Sequence, residues 1–329
     1  LFAGFPFSEK NPIAKAMSTM LEALDEAGMK SATKLLDGFY NSVKIRTKNI
    51  KTEQDRQTVI LELFDNFFKV AFPKMREKLG IIYTRVEVVD FINQSVADIL
   101  KKEFNKDISS NDVHVLDPFT GTGTFICRLL QSGLISKDKL LEKYRHSLHA
   151  QEIVPLAYYV ASMNMEAIMH DKFPEEEYMP NEVMIWTDTF ASNEQKTDLF
   201  KTTLAENNKR LQALNGENIE VIIGNPPYSV GQDSANDDNR NEHYEQLDKR
   251  LAATYVAGTK SSNKNKLYDS YIRAYRWASD RIGDKGIIGF ITNAGWLESS
   301  SADGMRKCMA EEFSSIYVYH LKANQRTSG

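Results

Sequence analysis

The sequence predicts an α/β protein with a mostly parallel, doubly wound sheet, preceded by an α-helical region. Beyond Asp112, short β-rich runs alternate with amphipathic helical runs, whereas the earlier part of the chain shows only helical spacing. Glycines, acids and an amide also follow directly after the β-rich runs. Strands that alternate with helices form parallel sheets, and these bind ligands at the carboxyl ends of their strands.

Helical spacing dominates the first part of the chain, from Asn11 to about Leu79. Apolar residues recur there every three or four positions, as at Met17, Met20 and Leu24. We therefore divide the chain into a helical region, residues 1–79, and an α/β domain, residues 80–329. The opening LFAGFPFSEK has neither an initiator methionine nor a basic leader, so we expect it to be an internal stretch of a longer polypeptide.

Six β-rich runs are the predicted strands of the sheet: 114–116, 148–153, 183–187, 219–224, 286–292 and 315–321. Residues 229–266 form a polar stretch rich in Asn, Asp, Ser and Lys. We expect this stretch to be a long loop, and its lysines Lys260, Lys264 and Lys266 are candidates for phosphate contacts, with a solvated loop as the alternative.

Composition excludes several classes of protein. With 42% hydrophobic and 26% charged residues and a mean hydropathy of -0.43, the chain of 329 residues is typical of globular proteins. The net charge of -4 gives no overall cationic field, although a local basic face would suffice for nucleic acid. No apolar run is long enough to span a bilayer, so we expect no membrane partner.

Cysteine and histidine usage predicts neither a disulfide framework nor a metal site. Cys127 and Cys308 are the only cysteines and lie far apart in the sequence. His146 and His149 form an HxxH pair without further ligands nearby, which favours a solvated helix face over a metal site. These features are typical of a cytoplasmic protein.

The first three predicted strands end in residues suited to a nucleoside. The first ends in LDPFTGTGTF, where Asp117 precedes Gly121 and Gly123, and these glycines allow a tight turn into a helix with free N–H groups. Glu152 ends the next strand, where a carboxylate can accept both ribose hydroxyls. Asp188 follows the third and can accept an exocyclic amine. Each alone has a plain alternative, a simple turn for the glycines and a solvated acid or helix cap for the carboxylates. Together they predict a nucleoside-binding edge.

The fourth predicted strand runs into IIGNPPYSVG, residues 222–231. Pro226 and Pro227 have fixed φ and donate no backbone hydrogen bond, so neither sheet nor helix continues through them. The turn is rigid, and it carries the amide of Asn225 and the ring of Tyr228 at the same edge of the sheet. An ordinary exit from a strand is the alternative. A rigid turn of this kind suits a flat group that bears nitrogen.

In this order, the glycine motif, the two acids and NPPY resemble class I methyltransferases that use S-adenosylmethionine, and specifically adenine-N6 methyltransferases of DNA. GIIYTRVEVVDFI, residues 80–92, looks like the family's cofactor motif, with Tyr83 and Thr84 in place and Arg85 where the family usually has proline. The residues GIIGFITNAGWL resemble its fifth-strand segment. With a helical region in front, the chain is most similar to the methyltransferase part of type ISP restriction-modification enzymes, and less so to type I modification subunits.

The resemblance implies S-adenosylmethionine as cofactor and double-stranded DNA with a flipped adenine as partner. It implies a cofactor-binding set of Tyr83, Thr84, Asp117, Gly121, Gly123, Glu152 and Asp188, and a catalytic set of Asn225, Pro226, Pro227 and Tyr228. Helicase, nuclease and target-recognition regions are then expected in the same polypeptide or in partner subunits. We also expect weak DNA binding without sequence preference from these 329 residues alone, because base contacts supply specificity.

The sequence is also compatible with two other functions. A protein-glutamine methyltransferase also carries NPPY, but its glycine motif resembles Asp-x-Gly-Thr-Gly-Ser-Gly, whereas Pro118 and Phe119 follow Asp117 here. A cofactor-binding scaffold without activity is the second alternative, and the intact NPPY motif disfavours it.

Overall fold

The computed structural model describes residue 11 and residues 84–191, 205–228 and 243–321. The predicted helical region 1–79, apart from Asn11, lies outside the described residues, as does Tyr83. The boundary between the two predicted domains therefore stays a prediction.

A five-stranded parallel sheet forms the centre of the described structure, with the strand order β3-β2-β1-β4-β5. This confirms the predicted α/β class. The strands are β1 (Val115–Asp117), β2 (Leu148–Glu152), β3 (Met184–Trp186), β4 (Val221–Gly224) and β5 (Ile287–Phe290).

Alternate residues of the strands enter two separate hydrophobic cores. Val115 of β1 and Ile223 of β4 belong to one core, whereas Leu116 and Ile222 belong to the other. This period of two follows from the pleat of a strand. Both faces of the sheet are therefore covered, as a doubly wound sheet requires.

Helices connect the strands and cover both faces. They are α1 (Val86–Phe104), α2 (Thr124–Gln131), α3 (Lys137–His146), α4 (Pro155–Lys172), α5 (Ala205–Gly216), α6 (Glu245–Leu251), α7 (Ser270–Ile282), α8 (Gly295–Glu298) and α9 (Asp303–Glu312). None of the helices in the described ranges is long and apolar enough to cross a membrane.

Helix α1 packs closely on β5 and α2. A Cβ atom at Gly289 would lie 2.9 Å from Val96 Cγ2, so glycine permits this approach. A bidentate ion pair joins Arg128 of α2 to Asp90 of α1, with Nε–Oδ1 and Nη2–Oδ2 distances of 2.8 and 2.7 Å. This packing fixes the start of α1 beside the carboxyl ends of the central strands.

The prediction of one long loop over residues 229–266 is wrong for residues 245–256. They form α6 and a π-helical turn, Ala252–Val256. Leu247, Leu251 and Tyr255 are buried at a spacing of four residues and join the core beneath α7. Because most residues of the stretch are polar, its narrow apolar stripe did not lead to the prediction of a helix. Residues 229–242 lie outside the described residues.

The prediction of a sixth strand at residues 315–321 is wrong. Residues 315–321 carry the alternating apolar pattern of a strand, yet no strand forms in this described segment. Tyr317 and Tyr319 are 61% and 71% exposed, and the ring of Tyr319 lies 5.1 Å from that of Phe91 on α1. A strand needs a hydrogen-bonded neighbour, and among the described residues none pairs with this segment.

Candidate active site at the carboxyl edge of the sheet

Four adjacent strands bring the predicted site residues to one edge of the sheet. Asp117 ends β1, Glu152 ends β2, Asp188 follows β3 and Asn225 follows β4. The order β3-β2-β1-β4 makes these strands successive neighbours. The carboxyl ends of parallel strands share one edge, so the fold gathers residues that lie far apart in the sequence.

The turn between β1 and α2 depends on two glycines. Gly121 and Gly123 have φ values of 57° and 91°, in the left-handed region where a side chain is unfavourable. A Cβ atom at Gly123 would also lie 3.2 Å from Ala161 Cβ of α4. The Gly121 N–H bonds to Glu152 and the Gly123 N–H to the Thr120 carbonyl, so the turn is tight, and α2 starts close against α4.

Glu152 is bound directly to this turn. Its Oε2 accepts the N–H of Gly121 at 2.7 Å, and its Oε1 accepts the N–H of Val154 at 2.7 Å. Burial raises the pKa of Glu152 to about 7, although these backbone donors act in the opposite direction. The carboxyl group is therefore fixed in orientation and about half ionised at neutral pH.

Asp117 lies beneath the turn and is fully buried. Its Oδ1 accepts the N–H of Phe119 at 3.1 Å, whereas its Oδ2 has no hydrogen-bond partner in the described structure. Burial raises the pKa of Asp117 to about 8, and the nearby Glu152 carboxylate raises it further. The neutral acid is the form that this environment favours.

Asp188 is held by two hydrogen bonds after β3. Its Oδ1 accepts the N–H of Phe190 at 3.0 Å, and its Oδ2 accepts the hydroxyl of Tyr244 at 3.1 Å. The rings of Phe190 and Tyr244 meet edge to face at 5.3 Å. Tyr244 comes from the segment before α6, and nothing in its local sequence marks it as part of this edge.

The Asn225 amide is bound at both ends. Its Nδ2 donates to Thr84 Oγ1 at 2.9 Å, and its Oδ1 accepts the hydroxyl of Tyr228 at 3.0 Å. The same hydroxyl lies 3.1 Å from the carbonyl oxygen of Ile291, just after β5. Burial raises the pKa of Tyr228, so the hydroxyl stays a donor at all physiological pH values.

Aromatic side chains lie close to the rigid motif of residues 225–228. Pro226 is buried, whereas Pro227 and Tyr228 are partly exposed. The Tyr228 ring lies 6.0 Å from that of Tyr271 on α7, and Tyr275 lies 5.5 Å from Phe290 on β5. Tyr271, Tyr275 and the Ile291 carbonyl were not predicted, because only the fold brings α7 and β5 beside the motif.

Arg85 stands where the family resemblance predicts a proline. Its backbone has φ -65° and ψ 134° at the amino end of α1. Proline fixes φ near this same value, so the arginine adopts the backbone that proline would impose. The chain can therefore present Thr84 to Asn225 without the proline.

His146 and His149 occupy different elements. His146 is at the exposed carboxyl end of α3, whereas His149 is on β2 and stacks on His114 with ring centroids 5.2 Å apart. A shared solvated helix face was therefore the wrong expectation for His149.

The sheet order and the edge are those of a doubly wound α/β fold, and the family match implies its class I methyltransferase form. The chain belongs to the Eco57I restriction-modification methylase family, whose profile it matches over residues 128–326. Residues 1–55 match the coupler domain of type ISP restriction-modification enzymes. The predicted resemblance to the methyltransferase part of type ISP restriction-modification enzymes is thus confirmed.

Solved structures support this membership. The chain is 44% identical to the ATP-dependent Type ISP restriction-modification enzyme LlaBIII bound to DNA, with a TM-score of 0.84 over 95% of this chain and 21% of that one. A nuclease-deletion mutant of the Type ISP enzyme LlaGI with a DNA substrate mimic gives 43% and 0.83, over 95% and 25% of the two chains.

A third similar structure is a DrdV–DNA complex, with 34% identity and a TM-score of 0.85 over 95% of this chain and 30% of that one. The present chain therefore spans between about a fifth and a third of the length of these relatives. A comparison with curated protein sequences gives no match.

Proposed function

We propose that this chain transfers a methyl group from S-adenosylmethionine to the exocyclic N6 of an adenine flipped out of duplex DNA, within a restriction-modification system. The observation that carries the proposal is the Asn225 amide, held by Thr84 and Tyr228 at the end of β4. Its restraint at both ends leaves the oxygen with one orientation, as an acceptor for a flat amino group requires.

Two acceptors suit the chemistry of an aromatic amine. The lone pair of adenine N6 is delocalised into the ring, which makes the nitrogen a poor nucleophile. Asn225 Oδ1 and the Pro226 carbonyl can accept the two N6 hydrogens and favour a geometry with an available lone pair. Because each oxygen has two lone pairs, Asn225 Oδ1 can accept from N6 as well as from Tyr228. Rigid, preorganised acceptors lower the barrier without a general base.

The residues of the edge suit S-adenosylmethionine, which supplies an electrophilic methyl sulfonium when bound. Gly121 and Gly123 let the turn approach a ligand closely, Glu152 offers a buried acceptor for ribose hydroxyls, and Asp188 offers one for the adenine amine. Tyr83 and Thr84 are assigned to the methionine end by the family resemblance. Asp117 is assigned to the same site, where its buried carboxyl supports the glycine turn.

The relatives support DNA as the substrate. LlaBIII, LlaGI and DrdV are each described in complex with DNA or a DNA mimic. LlaBIII is ATP-dependent, and LlaGI has a nuclease, so we propose that motor and nuclease parts accompany this methyltransferase in its intact enzyme. The target base lies inside a duplex, and reaching it requires flipping, with the Tyr228 ring as the stacking surface.

Replacement of Asn225 tests the proposal. In the intact enzyme, we expect Asn225→Ala to lower the methylation rate by about a hundredfold or more, because one preorganised transition-state contact is lost. Cofactor affinity should stay within about threefold. Tritium transfer from labelled S-adenosylmethionine to DNA gives the rate, and sequencing for N6-methyladenine identifies the product.

Asn111→Ala is the matched control, because Asn111 is exposed and precedes β1, at the opposite end of the sheet from the edge. It should keep the full rate. Near-normal methylation by Asn225→Ala would exclude the proposed chemistry.

A further inference from the structure

Tyr244 connects the predicted adenine acceptor of the cofactor site to the helices that follow the NPPY motif. It is 8% exposed, and its hydroxyl donates to Asp188 Oδ2 at 3.1 Å. The backbone N–H of Phe190 holds the other oxygen of the carboxylate. These two bonds fix the rotation of the carboxylate about its χ2 bond.

The phenol ring is itself held from two sides. Phe190 meets it edge to face at 5.3 Å, and the Arg273 guanidinium lies 5.5 Å from its centroid. Such contacts are favourable arrangements for an aromatic ring. The ring therefore has a fixed position from which its hydroxyl reaches Asp188.

Asp248 anchors this arrangement to α6 and α7. Its carboxylate pairs with Arg273 through Nε at 2.9 Å and Nη2 at 3.1 Å, and it accepts the backbone N–H of Tyr244 at 3.3 Å. Both charged side chains are buried. A satisfied buried pair is costly to break, so it defines one geometry for the start of α6.

We propose that Tyr244 is a positioning residue of the cofactor site, acting through Asp188 to favour a purine nucleoside with a 6-amino group. This inference rests on the proposed function, because it takes Asp188 as the acceptor of that amine. A carboxylate with a fixed plane accepts an amine hydrogen without losing rotational freedom at the moment of binding. The hydroxyl thereby links cofactor recognition to α6, which begins beyond the target-base motif in the chain.

Binding of S-adenosylhomocysteine to the intact protein, measured by calorimetry, tests this role. Tyr244→Phe keeps the ring and its packing, and we expect it to weaken binding by about threefold to tenfold, the effect of one hydrogen bond. An analogue with hydrogen in place of the 6-amino group should bind Tyr244→Phe and the native protein equally. On an Asp188→Ala background, Tyr244→Phe should cause no further loss.

Tyr255→Phe is the matched control. Tyr255 is fully buried and lies under Arg276, with 5.3 Å from the guanidinium to the ring centroid, as Tyr244 lies under Arg273. It should leave the affinity for S-adenosylhomocysteine unchanged.

Three results would overturn the inference: an equal loss for both ligands, tighter binding by Tyr244→Phe, or additive losses in the double variant. The proposed function fails in a different way. If Asp188→Ala and Glu152→Ala both bind S-adenosylhomocysteine normally, the cofactor site itself is misplaced.

Discussion

At the scale of single residues, burial determines the charge of the candidate cofactor site. Glu152 and Asp117 are both buried, and burial raises their pKa values to about 7 and about 8. A raised carboxyl pKa contributes stability that is present below the pKa of the unfolded chain and is lost as pH rises through the folded value. The fold therefore disfavours the ionised forms of Glu152 and Asp117. A ligand whose hydroxyl groups donate hydrogen bonds to these acids would favour the ionised forms.

The pH dependence of cofactor affinity follows from Glu152. Ribose hydroxyls that donate to the carboxylate favour its ionised form and lower its pKa in the complex. Affinity for S-adenosylhomocysteine should rise up to about tenfold from pH 6 to pH 7 and flatten above that, with protons released on binding. Calorimetry in buffers of different ionisation enthalpy measures both quantities.

Glu152→Gln is the control, since it removes the titrating group and keeps the shape. It should bind more weakly with a flat profile between pH 6 and pH 7. A slope that persists in this variant would assign the titration to another group, with Asp117 the first candidate because of its pKa of about 8.

At the scale of elements, the site depends on close contacts between segments that are distant in sequence. Thr84 precedes α1 and bonds to Asn225 after β4, while Tyr228 reaches the Ile291 carbonyl after β5. A Cβ atom at Gly224 would lie 2.9 Å from Asp117 Oδ1, so glycine lets β4 pass close to the end of β1. The orientation of one amide is thus set by three separate elements.

Thr84 tests this arrangement. Thr84→Val removes the oxygen that accepts from Asn225 Nδ2 and keeps the volume, so the amide loses one restraint. We expect the rate of methyl transfer to fall by about tenfold, corresponding to one hydrogen bond. Thr84→Ser restores the oxygen and should recover most of the rate. Single-turnover kinetics at saturating cofactor measure the chemical step.

Cofactor affinity distinguishes this role from the one that the family resemblance implies. If Thr84 mainly holds the methionine end of the cofactor, Thr84→Val will raise the cofactor Kd and leave the saturated rate unchanged. If it orients Asn225, the rate will change at constant Kd.

At the scale of the whole molecule, Asn11, which belongs to the amino-terminal part of the chain, contacts helix α4 of the α/β domain. Its Nδ2 donates to Glu166 Oε1 on α4 at 2.8 Å, and both residues are buried. Tyr178 and the N–H of Asn181 donate to the same carboxylate. Asn11 lies within residues 1–55, the part that matches the coupler domain.

Loss of the hydrogen bond between Asn11 and Glu166 should destabilise the folded protein. We expect Asn11→Ala to lower the free energy of unfolding by about 1–3 kcal/mol, because a buried carboxylate loses one donor. Urea unfolding followed by fluorescence measures the change. Asn111→Ala, which alters an exposed asparagine, should be neutral. Equal stability of Asn11→Ala and the native protein would show that the contact contributes nothing.

Features of the fold that depend on local sequence pattern were predicted correctly. Alternating strands and helices, and the polar motifs after the first four strands, predicted the sheet and the edge that the structure displays. The same reasoning failed for residues 315–321, because an alternating pattern does not form a strand without a neighbour to pair with. It failed for residues 245–256, where a narrow apolar stripe was set within polar residues.

The sequence by itself determined the fold class, the family and the side chains at the ends of the first four strands. Each of these is encoded within short windows, where periodicity and turn residues act locally. Only the tertiary structure placed Thr84 on Asn225, Tyr244 on Asp188 and Asn11 on Glu166. These contacts join residues far apart in the chain, and packing of helices on the sheet creates them, so no local pattern could specify which donor meets which acceptor.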